Sequence, residues 1–163
     1  MYNFEYLDKS KKHDILPLLF DIIYENLKEI APSDLSYDEE KAEFINEVGI
    51  ALEKEPRKMI LCYCKGELAG FLMYYTRENL LMVEEVQIIG KHQKTMAFYR
   101  LCSFLLSNLP ENIETIEAFA DIRNVPSIRL QKSLGMRKTE SHDLQLYHFV
   151  GDAKKIRKRF ERG

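Results

Sequence analysis

Two adjacent carboxylates, Glu84 and Glu85, stand inside an apolar, β-branched run at residues 80–89. A strand of that composition buries its residues, and desolvating a carboxylate is costly, so the pair needs a reason. A carboxylate in such a setting is suited to accept a proton. A short polar turn, Gly90-Lys91-His92-Gln93-Lys94, follows at once. Residues 95–109 then place Met96, Tyr99, Leu101, Phe104, Leu105 and Leu109 at helical spacing. A strand that turns directly into a helix presents unpaired backbone N–H groups and the positive end of the helix dipole, which suits an anion such as a phosphate. Residues 79–109 therefore combine a base with an anion cradle.

A chain of 163 residues is of single-domain length. It can bury about 70% of its unfolded surface without a metal or disulfide. Its 45% hydrophobic and 31% charged content is that of an ordinary globular protein. A net charge of -2 leaves no electrostatic footprint of nucleic-acid binding, and no nucleic-acid partner is expected. The three cysteines, Cys62, Cys64 and Cys102, form no C-x-x-C pair; they read as core thiols in a reducing compartment, with no metal site. No basic run precedes an apolar core at the N-terminus, and the longest apolar run, residues 15–24, contains Pro17 and Asp21. A cytoplasmic protein without a membrane partner is expected.

The elements that must position the carboxylates follow from periodicity. Residues 2–7 alternate as a strand. Residues 14–30 form a helix with Pro17 in its first turn. Ser36 and Glu39 make a capping box for a second helix ending near Glu55, ahead of Pro56. Residues 59–64 and 68–76 form a hairpin, and their near-continuous apolarity implies burial on both faces. After the strand–turn–helix of residues 79–109 come a strand at 113–121, a helix from Asn124 to Gly135, and two strands at 136–140 and 144–150. The tail, residues 152–163, is basic and reads as a solvated terminal helix packing Ile156 and Phe160. The order β-α-α-β-β-β-α-β-α-β-β gives an α/β (α+β) fold: a mixed, mostly antiparallel sheet of about seven strands with about four helices.

Three local matches give this order a resemblance to the GNAT superfamily of acyl-CoA N-acyltransferases over nearly the whole chain. The first is NVPSIRLQKSLGM, where Asn124, Ser127, Leu130, Gly135 and Met136 fall at the family's offsets and Gln131 stands where the family often has a tyrosine acting as general acid. The second is the hairpin Gly66-Glu-Leu-Ala-Gly70-Phe71. The third is the turn after the fourth strand: Ile88 and Gln93 take the apolar and Arg/Gln places, Gly90 replaces a proline, and Met96 and Phe98 replace two small residues.

The resemblance implies an acyltransferase domain over residues 1–151 and an acetyl-CoA-dependent N-acetyltransferase acting on a primary amine of a small molecule or protein. Acetyl-CoA is the co-substrate and the amine acceptor the second partner; a homodimer is compatible with it. Glu84 or Glu85 would be the base. By strand alternation Glu84 falls with Val86 and Ile88 and Glu85 with Gln87, so one of them faces the acceptor; Glu84 is favoured, although a bulge would change the phase. Cofactor contacts would come from Val86, Gln87 and Ile88, from Gln93, Lys94, Thr95, Met96, Ala97 and Phe98, and from Asn124, Ser127 and Gln131. Met96 must keep a negative φ to offer its N–H, and Phe98 must point away from the phosphates. His92 lies in the turn; His13, His142 and His148 read as surface or satisfied histidines. Tyr74, Tyr75 and Tyr147 are candidate replacements for the missing acid. The acidic stretch at residues 33–43 mildly favours a cationic acceptor and equally suits a helix start. The rival reading is a GNAT-like domain that has lost catalysis and senses a ligand or a partner.

Overall fold

The structure, a computed structural model, describes residues 1–54, 56–141 and 143–161. Glu55, the expected helix end, His142, and Arg162 of the basic tail lie outside the described residues. One sheet holds seven strands among the described residues: β1 (Tyr2–Tyr6), β2 (Lys58–Cys64), β3 (Glu67–Arg77), β4 (Leu80–Ile88), β5 (Thr115–Asp121), β6 (Arg137–Thr139) and β7 (Leu146–Asp152). Five α-helices accompany it: α1 (Lys12–Leu27), α2 (Tyr37–Glu53), α3 (Ala97–Ser107), α4 (Val125–Ser133) and α5 (Ala153–Glu161), the last formed by the basic tail. The order across the sheet is β1-β2-β3-β4-β5-β7-β6, antiparallel throughout except between β4 and β5.

The sheet separates two apolar cores. Phe71 and Met73 of β3 join Leu16, Leu19 and Leu52 of α1 and α2 on one face. Leu72 and Tyr74 join Leu101 and Leu105 of α3 and Ile156 and Phe160 of α5 on the other. This two-sided burial accounts for the continuous apolarity of the central strands.

Local chemistry sets the joints. Lys65 and Gly66, both at positive φ (53° and 80°), make the two-residue turn between β2 and β3. Ser36 accepts from the Glu39 N–H as the N-cap, and its hydroxyl, rather than its backbone N–H as in a full capping box, donates to the Glu39 carboxylate. At the end of α4, Gly135 at φ 90° lets its N–H reach Lys132 O and that of Met136 reach Gln131 O, satisfying carbonyls the helix would leave open.

One helix start differs from expectation. α1 begins at Lys12, after a 3-10 turn capped by Asp8, so Pro17 lies inside the helix rather than in its first turn. The early start is anchored by Lys12, whose buried ammonium donates to Gly49 O at 3.0 Å and to Glu53 at 2.6 Å on α2.

α5 is part of the packing. Ala153, Ile156 and Phe160 are buried, and the Tyr99 hydroxyl of α3 donates to Phe160 O while the two rings stack at 4.9 Å. Arg157 donates to Pro110 O at 2.9 Å and Arg159 to Ser133 O at 2.5 Å, so two cations of the tail bind carbonyls of this chain. Burial pushes the thiols of Cys62 and Cys102 up, to about 11 and about 12, as befits core cysteines. Among the described residues no helix is long and apolar enough to cross a membrane.

Candidate active site

β4 is paired on both edges only at its start. Residues 80–83 match residues 115–118 of β5, and then that pairing stops, while pairing with β3 continues to Ile88. At the same place the β3 register shifts: Val83 opposes Tyr74 and Glu85 opposes Met73, leaving Glu84 as an extra residue. That is a β-bulge, which bends a strand and increases its twist. A gap therefore separates residues 84–88 of β4 from residues 119–121 of β5. It lies at the C-terminal ends of the one parallel strand pair among the described residues, where open α/β sheets take their ligands.

The bulge breaks simple alternation, so the two glutamates are not divided between the faces as an unbroken strand would divide them. Val83, Val86 and Ile88 pack toward α3. Gln87, by contrast, meets Asn26 of α1 and donates to Glu85 at 2.6 Å. Glu84 is held by both nitrogens of a guanidinium fork: Arg57 Nε and Nη2 donate at 2.5 and 2.6 Å. Arg57 itself lies over the Tyr75 ring at 5.1 Å. Glu85 has no cation partner among the described residues. Burial pushes its carboxyl up to about 7, with Glu84 adding to the rise and the Gln87 N–H opposing it. A base titrating near the working pH is the more effective one, so the environment favours Glu85 over Glu84.

The backbone of the turn after β4 has the negative φ at Met96 that an available N–H needs. Met96 caps α3 with φ at -79° and a side chain 49% exposed, and Phe98 is half-buried against the core. No side chain caps α3 from Met96; Thr95 Oγ accepts from the buried Ala97 N–H at 3.1 Å and donates to His92 O. The N–H groups of Phe98 and Tyr99 remain in the first turn with no helical acceptor. Lys94 and Arg100 are exposed and without an ion pair among the described residues, whereas Lys91 pairs with Glu67 at 3.2 Å. Gln93, although exposed, donates to Ile88 O at 3.1 Å and to Asn26 at 2.9 Å. His92 hydrogen-bonds the Tyr2 hydroxyl at 3.0 Å.

α4 starts at the end of β5, beside the other bank of the gap. Asn124 accepts from the Ser127 N–H at 3.2 Å as its N-cap. Gln131 is half-buried, and its side-chain amide has no protein partner among the described residues. The three tyrosines are engaged elsewhere. Tyr74 bonds the Tyr6 hydroxyl at 3.1 Å, Tyr75 lies under Arg57, and Tyr147 packs on Lys138. Two site residues, Asn26 and Arg57, have no sequence motif. Their only signals are a polar residue between the apolar positions Ile23 and Leu27, and a cation just before a buried strand. Two open pockets lie elsewhere, one lined by Tyr6, Leu52 and Met59 and one between α1 and α2. Among the described residues no group of three or more His, Cys, Asp or Glu is arranged to hold a metal ion.

No sequence model of a protein family matches the chain. No curated protein sequence matches it. Solved structures do. An acetyltransferase from Thermus thermophilus superposes with a TM-score of 0.74 at 15% identity, over 93% of this chain and 97% of that one. A GNAT-family acetyltransferase from Staphylococcus aureus Mu50 gives 0.72 at 12% identity, over 94% and 99%. PaiA N-acetyltransferase from Thermoplasma acidophilum, in complex with coenzyme A, gives 0.71 at 9% identity, over 93% and 99%. At such identities the likeness is one of fold: the chain has the α/β fold of GNAT acetyltransferases.

Proposed function

We propose that this protein is a divergent GNAT-superfamily N-acetyltransferase that moves the acetyl group of acetyl-CoA to a primary amine of a small molecule or protein. The observation that carries this reading is the parting of β4 from β5 at the Glu84 bulge, beside the uncompensated carboxyl of Glu85. The fold neighbour bound to coenzyme A supports it, as does YncA of Salmonella typhimurium, solved with its cofactor acetyl-CoA and superposing at a TM-score of 0.59.

Acyl transfer to an amine makes three demands, and residues of this chain meet each. The amine must lose a proton, and Glu85 takes it directly or through a water. The tetrahedral oxyanion must be stabilised, and backbone N–H groups on the unpaired edge of residues 85–88 can donate to it. The C–N bond is then already made, and as the oxyanion collapses back to a carbonyl the C–S bond breaks; the Gln131 amide can donate to the departing sulfur, and the thiolate takes its proton from solvent. The pyrophosphate would sit at the first turn of α3, with the charges of Lys94 and Arg100 near it. Asn124 and Ser127 would hold the pantetheine arm.

The test is thermal melting with acetyl-CoA. A ligand at 100 times its dissociation constant stabilises by about 2.7 kcal/mol, which for a domain of this size raises Tm by roughly 5–10 °C. No shift at millimolar acetyl-CoA removes the reading. One observation favours a second, non-catalytic sensor reading: Gln131 can donate a hydrogen bond but cannot act as a general acid. A Tm shift without thiol release across an amine panel would establish it.

A further inference from the structure

The side chains of Gln93, Asn26, Gln87 and Glu85 form one continuous hydrogen-bonded chain. Gln93 Nε2 donates to Asn26 Oδ1 at 2.9 Å, Asn26 Nδ2 to Gln87 Oε1 at 2.9 Å, and Gln87 Nε2 to Glu85 Oε1 at 2.6 Å. It starts in the turn that precedes α3, crosses α1 and ends on the carboxylate at the bulge.

The chain has a direction, and a backbone group sets it. Ile88 O accepts from Asn26 Nδ2 at 2.9 Å and from Gln93 Nε2 at 3.1 Å. A carbonyl oxygen accepts only, so both side chains must present their NH2 ends to it. Asn26 then has one hydrogen left for Gln87, which must answer with its oxygen. Gln87 in turn has only N–H to offer Glu85. Every bond points toward the carboxylate.

Resting on the acetyltransferase reading above, we infer that Asn26 and Gln87 are positioning residues: the one-way amide chain from the cofactor turn holds the Glu85 carboxylate in its ionised, proton-accepting orientation. One oxygen of Glu85 takes the Gln87 N–H, and the other has no hydrogen bond among the described residues and is left for the acceptor amine. The charged groups near Glu85 are Glu84, beside it on β4, and Arg57, which comes from the segment before β2 and is already bound to Glu84. Among the described residues no cation substitutes for the chain.

A double-mutant cycle on Asn26→Ala and Gln87→Ala tests this, because neither change introduces charge. Each variant should lower kcat by about tenfold at pH 7, with the KM for acetyl-CoA within about twofold of the wild-type value. Links in series act as a unit, so the double variant should be no slower than Gln87→Ala alone. A second readout needs no turnover. The Tm difference between each protein and its Glu85→Gln counterpart, followed against pH, reports the titration of Glu85. Both single variants should move that midpoint upward by about one pH unit. Effects on kcat that multiply, or a midpoint that stays in place, overturn the inference. A wild-type protein that binds acetyl-CoA but transfers no acetyl group sinks the enzymatic reading alone, and the titration still decides the chain.

Discussion

β4 contains its own control. Residues 80–83 are paired on both edges, apolar, and built into the sheet; residues 84–88 are paired on one edge and carry two carboxylates and a glutamine. The two halves share a strand and a partner strand. What separates them is one extra residue at Glu84. Ahead of it the backbone hydrogen-bonding capacity is used up by neighbours, and beyond it one edge is left for something else. The lesson is that a ligand-ready edge in the middle of a sheet needs only a local break in register.

The largest expected effect tests the second half. Glu85→Gln should lower acetyl transfer by about 10²–10⁴-fold, as loss of a general base does, with the acetyl-CoA-induced Tm shift retained. Measured rates within threefold of wild type would end the assignment of Glu85. The first half should answer differently. Leu81, fully buried in the core beside α3, should cost about 2–5 kcal/mol in denaturant unfolding when changed to Ala. The turnover per folded molecule should stay as it was. A rate loss as large as that of Glu85→Gln would erase the distinction between the halves.

The smallest effect is a pH signature. The Glu85 carboxyl is raised to about 7 in the folded chain against an ordinary 4.5, so its contribution to stability is fully present below pH 4.5 and is lost as pH rises through about 7. Glu85→Gln keeps the neutral form at every pH. It should therefore match wild type near pH 4.5 and exceed it above pH 7 by as much as about 3 kcal/mol, read from melts across the range. A gap that is flat with pH would place the carboxyl at its ordinary value.

Much of this architecture was legible in the sequence because it is local. Capping residues such as Ser36 and Asn124, the Lys65-Gly66 turn and the apolar spacing of α3 act over a few residues, and each named an element. Their order was enough for the sheet and its flanking helices. A bulge entered the reading of the sequence only as something that would change the phase, although the apolar spacing does lengthen from two residues to three between Val83 and Val86. The face of each glutamate depended on that bulge. Arg57 and Asn26 meet the site across sequence separations of 27 and 61 residues. No spacing rule reaches that far. The misplacement of Pro17 has a similar cause: α1 starts early because Lys12 finds Glu53 on a different helix.

Gly70 faces the second half of β4 across the β3 ladder. A methyl group there would come within 2.5 Å of Gln87 O and 2.7 Å of an Ile88 side-chain carbon, whereas at Gly90 a methyl group would meet nothing within 4 Å. These two glycines thus have opposite mutational freedom. The turn glycine can be exchanged without displacing an atom, and the strand glycine is closed to every other residue unless the bank of the gap moves. The β3–β4 ladder beside the breach has no room for one more carbon atom at Gly70, and a chain can wander far in sequence while honouring so small a constraint.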